Sequence, residues 1–527
     1  MAPGLDDFLR PLAIDGQTVV RLSHGLASAF TRLAAESPDQ FLPAPISESM
    51  LRSARQSPGR FLAIDIGGTN LRVGFVELIG HGPKPLSVLL EEKQPIQEPL
   101  KSDDAKSLFS WIGKHMARAV RRACSELGVP RDRELPMGVT FSFPMQQASL
   151  AEAVLMPMGK GFALTADLDL SAHLVAGYDQ HRGADLPPIR VAAIANDSVA
   201  TLVSFSYQLP AAGGPGVRRR PAMALIVGTG CNATLPLRWD SLGPGKRPAP
   251  LSVVPGSDEP SCSGLRIAVN TEWSINGSAP PLRDLGLVTA WDRILDHGGE
   301  RPGFQPLEYM TSGRYLGELV RLIFVDYYSK TLGKDPKDAA LTLPAPLGRR
   351  FGLSTSFVGG FRPGVERGSL VQQLDGEFPA EKTGRAARFR WTPELAEALY
   401  RIAKAVEVRA AGIIAAATLG LLRSAGELPP PLSSIDGYAY GAKQEEEELA
   451  VGYTGSCIQH FLDYLDDTQR FIDEALRLEY AAAPGGHGIP RVVLVPCHDG
   501  GLTGAGILVP AALAAARAEE AGTRDAQ

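Results

Sequence analysis

In the stretch FLAIDIGGTNLRV, residues 61–73, an apolar run of strand length ends at Asp65, meets Gly67-Gly68 and Thr69-Asn70, and gives way to a second apolar run. Two strands joined through Gly-Gly read as a tight hairpin, because glycine accepts the positive φ of primed turns. A turn without side chains lets a phosphate reach its N–H groups, and a strand-end carboxylate can hold Mg²⁺ directly or through water. An ordinary hairpin that binds nothing has the same local sequence, so other segments must decide. In LPMGVTFSFPMQQ, residues 135–147, Ser142-Phe143-Pro144 closes a strand and offers a hydroxyl and backbone groups to a polar ligand. Downstream, Lys160 stands between Gly159 and Gly161, where its ammonium could reach a phosphate or simply sit in solvent.

Two further segments complete the set. In VAAIANDSVATL, residues 191–202, a strand delivers Asn196-Asp197 at its carboxyl end. Ligands of open α/β sheets bind there, and a carboxylate so placed can take a proton. Asp197 would also serve as the cap of the helix that starts at Ser198. In AMALIVGTGCNATL, residues 222–235, a strand runs into Gly228-Thr229-Gly230. That turn lacks the third glycine and downstream acid of the dinucleotide fingerprint. It reads better as a second phosphate hairpin facing the first. Together these residues are what phosphoryl transfer from ATP to a hydroxyl requires: Mg²⁺ and N–H donors on the phosphates, and a carboxylate on the nucleophile. No GxxxxGKS/T, HRD/DFG pair or HExxH occurs, which removes P-loop enzymes, protein kinases and zincins.

The elements that position these residues are strands mixed with helices. The first 60 residues read as helical and polar. Leu108, Ile112, Met116, Ala119 and Ala123 recur at helical spacing after Asp103-Asp104. Residues 135–141 and 189–195 read as strands. The Pro/Gly-rich segments 210–221 and 242–263 flank the strand 222–227 and read as surface loops. Residues 291–330 are helical. Thr392-Pro393-Glu394 opens an Ala-rich helix that runs to about Leu422, with a hydroxyl cap, proline at the first position and an acid in the first turn. Glu445–Glu448 reads as a solvated helix start, and the tail after Ala511 as a terminal helix. No internal repeat is found. Strands first and mixed elements later imply an α/β protein of at least two lobes.

The 527 residues are too many for one core, and 44% hydrophobic with 21% charged residues is ordinary globular material. A net charge of −5 makes no electrostatic case for nucleic acid or an anionic membrane; the basic triplet Arg218-Arg219-Arg220 reads as a solvated loop. Five scattered cysteines without CxxC spacing argue against disulfides or a zinc site and fit a reducing compartment. No signal peptide is apparent and the longest apolar run, residues 410–422, is short of a membrane span. A cytoplasmic enzyme is the expectation. Oligomeric state is not readable.

FLAIDIGGTNLRV, GVTFSFPMQQ, KGF, ANDS, IVGTGCNA, VNTEW and YMTSGRYLGELVR together resemble, in order, the motif series of eukaryotic-type hexokinases, from about residue 20 to 510. The resemblance implies a two-lobed actin-like ATPase fold, α/β with mixed sheets flanked by helices. It divides the chain into residues 1–60 (helical part of the large lobe), 61–199 (small lobe), 200–498 (large lobe) and 499–527 (a helix returning to the small lobe). The partners implied are a small-molecule sugar and ATP, with Mg²⁺. Asp197 would be the general base on the sugar 6-hydroxyl, with Lys160 beside it in catalysis. Ser142, Phe143, Lys160, Asn196, Asn232 and Glu272 would line the sugar pocket. Asp65 (the metal carboxylate), Gly67, Gly68, Thr69, Asn70, Gly228, Thr229, Gly230, Asp499 and Gly500 would hold Mg²⁺ and the nucleotide.

The chain departs from the family at Gly159, where a sugar-facing threonine is expected, and in Asp499-Gly500-Gly501-Leu502-Thr503-Gly504, which lacks a lysine and a glycine near the nucleotide. The family's Thr-Glu-Tyr-Asp, whose glutamate binds the hydroxyls on sugar carbons 1 and 2, aligns with Thr289-Ala290-Trp291-Asp292. A methyl in place of that carboxylate would admit a 2-acetamido group. The segment 304–326 is similar to the divergent fungal branch that phosphorylates N-acetylglucosamine. The expectation is a sugar 6-kinase favouring N-acetylglucosamine over glucose. The alternatives are a general glucose-phosphorylating hexokinase and a non-catalytic sugar sensor.

Overall fold

The structure, a computed structural model, describes all residues except 1–3, 81, 83, 98, 101–104, 144, 148, 157–168, 210–211, 215–216, 249–263, 365–367, 380–388, 431–445, 481–490 and 526–527. Lys160, Gly159 and most of the expected loop at 242–263 thus lie outside the described residues. The chain enters through a helix, α1 (Gly16–Glu36), and a strand, β1 (Leu42–Ser47). A five-stranded sheet follows, made of β2 (Gly59–Ile66), β3 (Asn70–Leu78), β4 (Leu86–Pro95), β5 (Leu135–Phe141) and β6 (Ile189–Asn196) in the order β4-β3-β2-β5-β6. A seven-stranded sheet holds β7 (Val217–Val227), β8 (Cys231–Arg238), β9 (Arg266–Asn270), β10 (Glu446–Thr454) and β11 (Arg491–Pro496) in the order β9-β8-β7-β10-β11. There β1 adds beside β9, and the short strand Ala212–Gly214 pairs with β7.

Both sheets are the same unit. Three antiparallel strands are joined by two parallel ones, so that β2, β5 and β6 in one sheet, and β7, β10 and β11 in the other, point their carboxyl ends the same way. The duplication leaves no repeat in the sequence because a strand is specified by which positions are apolar, not by which residue fills each.

Helices α2 (Ala105–Glu126) and α3 (Leu170–Arg182) cover the five-stranded sheet, and the Leu108–Ala123 stripe is buried there as its spacing requires. Helix α4 (Asp197–Gln208) leads away from β6. Between β9 and β10 come α5 (Ala290–His297), α6 (Pro306–Thr311), α7 (Leu316–Leu332) and the long α8 (Pro393–Ser424); α9 (Tyr464–Tyr480) precedes β11. Thr392 caps α8 as its sequence predicts, its side chain accepting from the Leu395 N–H. By length and composition α8 could cross a bilayer, but 89% of its most apolar window is buried in the protein. Helix α10 (Gly500–Asp525) closes the chain. Ala200 and Val203 of α4 pack with Leu502 and Ala505 of α10 and with Ala63, Ala195, Ala224 and Ala268 of the two sheets. Small residues let the sheets approach through this shared layer.

Four expectations need correction. Residues 1–60 are not simply polar and helical: α1 buries Val19, Leu22, Leu26, Phe30 and Leu33, and β1 is a strand. Segment 217–221 is strand, not loop, and Arg218–Arg220 run along β7 beside Glu446–Glu448 of β10. Glu446–Glu448 are therefore strand residues rather than a helix start. Arg219 bonds Glu448 at 2.6 Å, and Arg220 meets Glu447 and the buried Glu427. Arg219 and Arg220 thus neutralise Glu448 and Glu447 across one ladder. The glycine turns, finally, do not use positive φ: neither Gly67 and Gly68 nor Gly228 and Gly230 stand in the left-handed region.

Candidate active site

Register brings the first group together. Asp65 lies opposite Thr140 and Ile66 opposite Phe141 in the β2–β5 pair, while Phe141 lies opposite Asn196 in the β5–β6 pair. Three adjacent parallel strands, about 4.8 Å apart, thus end in Asp65, Ser142 and Asn196-Asp197. The Gly67–Asn70 turn links β2 to β3 and is closed by the Gly67 N–H donating to Asn70 O at 2.9 Å. A Cβ at Gly67 would fall 3.2 Å from Asn70 O, so a side chain there would crowd the turn, whereas one at Gly68 would meet nothing within 4 Å. Gly68 is where the turn leaves its backbone open. Thr69 is exposed at the tip, its hydroxyl accepting from Asn70 Nδ2 at 3.0 Å.

The helix cap after β6 is Asn196, not Asp197. Asn196 is extended and its Oδ1 accepts from the Ser198 N–H at 2.9 Å, while its Nδ2 donates to Phe143 O at 3.3 Å. Asp197 is the first helical residue, half-buried, its Oδ1 sharing the Ser198 N–H at 2.8 Å. Ser198 then joins the two sheets: its Oγ lies 2.6 Å from Thr234 Oγ1 and 3.2 Å from Asn270 Oδ1. Asn232 Nδ2 donates to Asn270 Oδ1 (2.8 Å) and Glu272 Oε1 (3.2 Å), and Asn270 Nδ2 donates to the same Glu272 oxygen at 2.9 Å. Asn196, Asp197, Asn232 and Glu272 thus belong to one polar network. Glu272 holds a left-handed backbone, φ 43°, costing about 1–3 kcal/mol for a non-glycine. Its carbonyl is held by Gln40 Nε2 at 2.9 Å and by the Ile275 N–H at 3.1 Å.

Asp65 is crowded by acids. Burial pushes its carboxyl up to about 7; Arg72 opposes this, while Asp197, Glu91 and Asp499 add to it. Arg72 stands 3.9 Å from Asp65 but spends its best bonds on Glu91 (2.7 Å) and Asp499 (2.6 Å). A single carboxylate short of positive charge suits Mg²⁺, which binds one or two protein carboxylates plus phosphate and water. At the start of α10 Asp499 is left-handed (φ 58°), Gly500 begins the helix, and a Cβ on Gly501 would fall 2.5 Å from Asp65 Oδ2, so the helix N-terminus abuts Asp65. The Leu502 and Thr503 departures have packing reasons: Leu502 is buried, and Thr503 Oγ1 lies 2.7 Å from Ser204 Oγ.

The Gly228–Gly230 turn joins β7 to β8 and is closed by the Gly228 N–H donating to Gly230 O at 2.9 Å. It is braced by Gly313 and Arg314, whose N–H groups donate to Gly228 O (2.8 Å) and Thr229 O (3.0 Å). Among the described residues no hydrogen bond or ion pair joins it to the Gly67–Asn70 turn.

Residues the sequence reading passed over are Ser198, Thr234, Asn270, Arg72, Gly501 and, above all, Glu308. Glu308 on α6 is a buried carboxylate whose Oε2 accepts from the Cys231 N–H at 3.1 Å, next to Asn232. An acid inside the apolar run PLEYMT was its signal. Ala290, in contrast, is exposed as the first residue of α5. Its neighbours turn elsewhere: Trp291 Nε1 donates to Asp326, and Asp292 is paired with Arg409. Thr289 and Asp292 cap α5 reciprocally, so the Thr-x-x-Asp pattern here is a capping box. The replacement of a pocket carboxylate by Ala290 is therefore withdrawn, and with it the space argued for an acetamide.

The hexokinase sequence pattern matches residues 4–207 in one part and 222–511 in another. A glucokinase of Aspergillus niger is 27% identical over 482 residues, covering 84% of this chain and 86% of its own. Hexokinase-1 of Oryza sativa subsp. japonica is 30% identical over 466 residues, covering 86% and 79%. A solved hexokinase from Schistosoma mansoni, complexed with glucose, superposes with a TM-score of 0.71 over 97% of this chain and 98% of that one, at 23% identity. That likeness shows the two-lobed, actin-like fold. The chain belongs to the hexokinase family of ATP-dependent sugar phosphotransferases.

Proposed function

We propose that the chain phosphorylates the 6-hydroxyl of glucose, in preference to N-acetylglucosamine. The observation that carries this is the cluster of Asn232, Asn270 and Glu272, tied through Ser198 to the helix turn that carries Asp197, with Glu308 on the N–H of Cys231 next to Asn232. Two carboxylates and two amides gathered next to a strand-end aspartate suit a ligand rich in hydroxyls, which donate to the former and exchange hydrogen bonds with the latter. The reading keeps a pocket carboxylate in Glu308, so it needs no acetamide to fill a gap. Similarity to a glucokinase supports it further.

In this reading Asp197 takes the proton as the 6-hydroxyl oxygen becomes the nucleophile. Asn196 and Ser198 fix its helix turn, and Asn232, Asn270 and Glu272 orient the ring. Asp65 would hold Mg²⁺ and the turns at Gly67–Asn70 and Gly228–Gly230, with Asp499-Gly500-Gly501, would bind phosphates. Bound Mg·ATP supplies the phosphoryl group and screens its charge. Lys160 keeps its proposed place at the phosphate from its sequence context alone. ADP release measured with a panel of hexoses and hexosamines tests this directly. Glucose should be the better substrate, and Asp197→Ala should lower kcat by about 10²–10⁴-fold with little change in sugar affinity. Wild-type turnover in that variant would remove Asp197 as the base.

A further inference from the structure

An open hollow of about 430 Å³ lies between α2 and α3 and shares no residue with the site described above. The helix crossing creates it. The two helices touch at glycines: a Cβ on Gly113 would fall 2.0 Å from Gly177 O, and one on Gly177 would fall 2.2 Å from Phe109 O. Helices pressed to backbone contact at one point and crossing at an angle must diverge beyond it. Lys106, Ser107, Ser110, Trp111 and Lys114, on one face of α2, line the gap opposite Gln180 and His181 of α3.

The chemistry of the lining is one-sided. Every lining side chain can donate a hydrogen bond and none is acidic. Ser110 Oγ and His181 Nε2, 3.0 Å apart, tie the two rims together. Lys106 and Lys114 are exposed and make no ion pair among the described residues. Among the described residues the nearby acids Glu92 and Asp179 are engaged, Glu92 by Arg118 (2.5 Å) and Arg122 (3.4 Å), and Asp179 by Arg182 (2.7 Å). Trp111, packed edge-on against His115 with ring centroids 4.6 Å apart, forms a flat wall. The size falls within the range of small-molecule sites, about 300–1,000 Å³.

We infer that this hollow is a second ligand site, for a phosphate monoester carried on a ring. Lys106 and Lys114 take the phosphate, Ser107, Ser110 and Gln180 bond the polar edge of the ring, and Trp111 covers its face. The inference stands on these residues alone and does not depend on the catalytic reading. A sugar phosphate and a nucleoside monophosphate share this chemistry, and calorimetry on the full chain, its cleft saturated with glucose, separates them. Glucose 6-phosphate, AMP and inorganic phosphate are titrated in turn. At least one of the first two should bind about tenfold or more tightly than phosphate, and whichever does identifies the source. Lys106→Glu with Lys114→Glu should weaken that binding by about tenfold or more and leave kcat/KM for glucose within about twofold. Trp111→Phe, which keeps the packing on His115, should abolish the ligand-induced change in tryptophan fluorescence. The inference is overturned if neither ring compound outbinds phosphate, or if binding and fluorescence response survive these substitutions.

Discussion

Glu308 and Ala290 offer a paired test of where sugar recognition resides. Glu308→Gln keeps the shape and leaves an amide oxygen to accept the Cys231 N–H now bonded at 3.1 Å, so the turn at Gly230 should survive. What is lost is the charge of a side chain that is 6% exposed. A hydrogen bond from a sugar hydroxyl to a carboxylate contributes about 1.5–3 kcal/mol, which converts to a rise in KM for glucose of about 10–150-fold. Ala290→Glu, on an exposed helix start, should shift stability by no more than about 0.5 kcal/mol and leave the ratio of kcat/KM for glucose and N-acetylglucosamine unchanged. Initial rates from coupled ADP release, with thermal melts to verify folding, read both. An unchanged glucose KM in Glu308→Gln, or a reversed sugar preference in Ala290→Glu, would refute the pocket drawn here and restore the sequence-based alignment.

Three further outcomes follow from the geometry. Gly501→Ala must move either the start of α10 or Asp65, since its Cβ would fall 2.5 Å from Asp65 Oδ2; kcat/KM for Mg·ATP should drop on the order of 10²-fold while glucose affinity, measured by calorimetry, holds. Burial raises the Glu407 carboxyl from 4.5 to about 8; Lys404 opposes this, while the charges of Asp467 and Asp463 add to it. Its favourable term is whole below the unfolded value of 4.5 and is lost as pH rises through 8. Glu407→Gln should therefore gain stability over wild type across that window, and parallel denaturation curves at all pH values would contradict it. Arg409, fully buried and bidentate on Asp292 at 2.7 Å, should cost about 3–5 kcal/mol when replaced by alanine, whereas Arg409→Met with Asp292→Leu should recover most of the loss; urea melts decide.

Much of the architecture was legible because local rules and tertiary structure agree. The Thr392 cap, the Leu108–Ala123 stripe and the strands at 135–141 and 189–195 each follow from periodicity or capping alone, the second strand running one residue further to Asn196. Charge runs were misread because their meaning is not local. Arg218–Arg220 and Glu446–Glu448 are far apart in sequence, and only the parallel pairing of β7 with β10 turns two solvated-looking runs into one ladder. Ala290 failed for the opposite reason. A short motif carries more than one physical cause, and Thr-x-x-Asp at a helix start is explained in full by the reciprocal cap of Thr289 and Asp292.

Candidate site residues were found where they end strands and missed where they reach the site from another element. Asp65, Ser142 and Asp197 announce themselves as polar residues closing apolar runs, and parallel register then makes neighbours of them. Ser198 and Thr234 look like ordinary helix and strand residues until a 2.6 Å contact joins the two sheets through them. That contact matters for catalysis beyond its own energy. It ties the turn carrying Asp197, on the five-stranded sheet, to the Asn232–Asn270–Glu272 cluster of the seven-stranded sheet. The proposed base and the proposed sugar contacts thereby keep their relative placement. The Gly67–Asn70 turn is held to the same frame, since the Ser142 N–H donates to Ile66 O at 3.1 Å and Phe141 pairs with both Ile66 and Asn196. A reaction that must bring a phosphate and a base to one hydroxyl needs both on a rigid support, and the proposed phosphate turn and the proposed base share the five-stranded sheet.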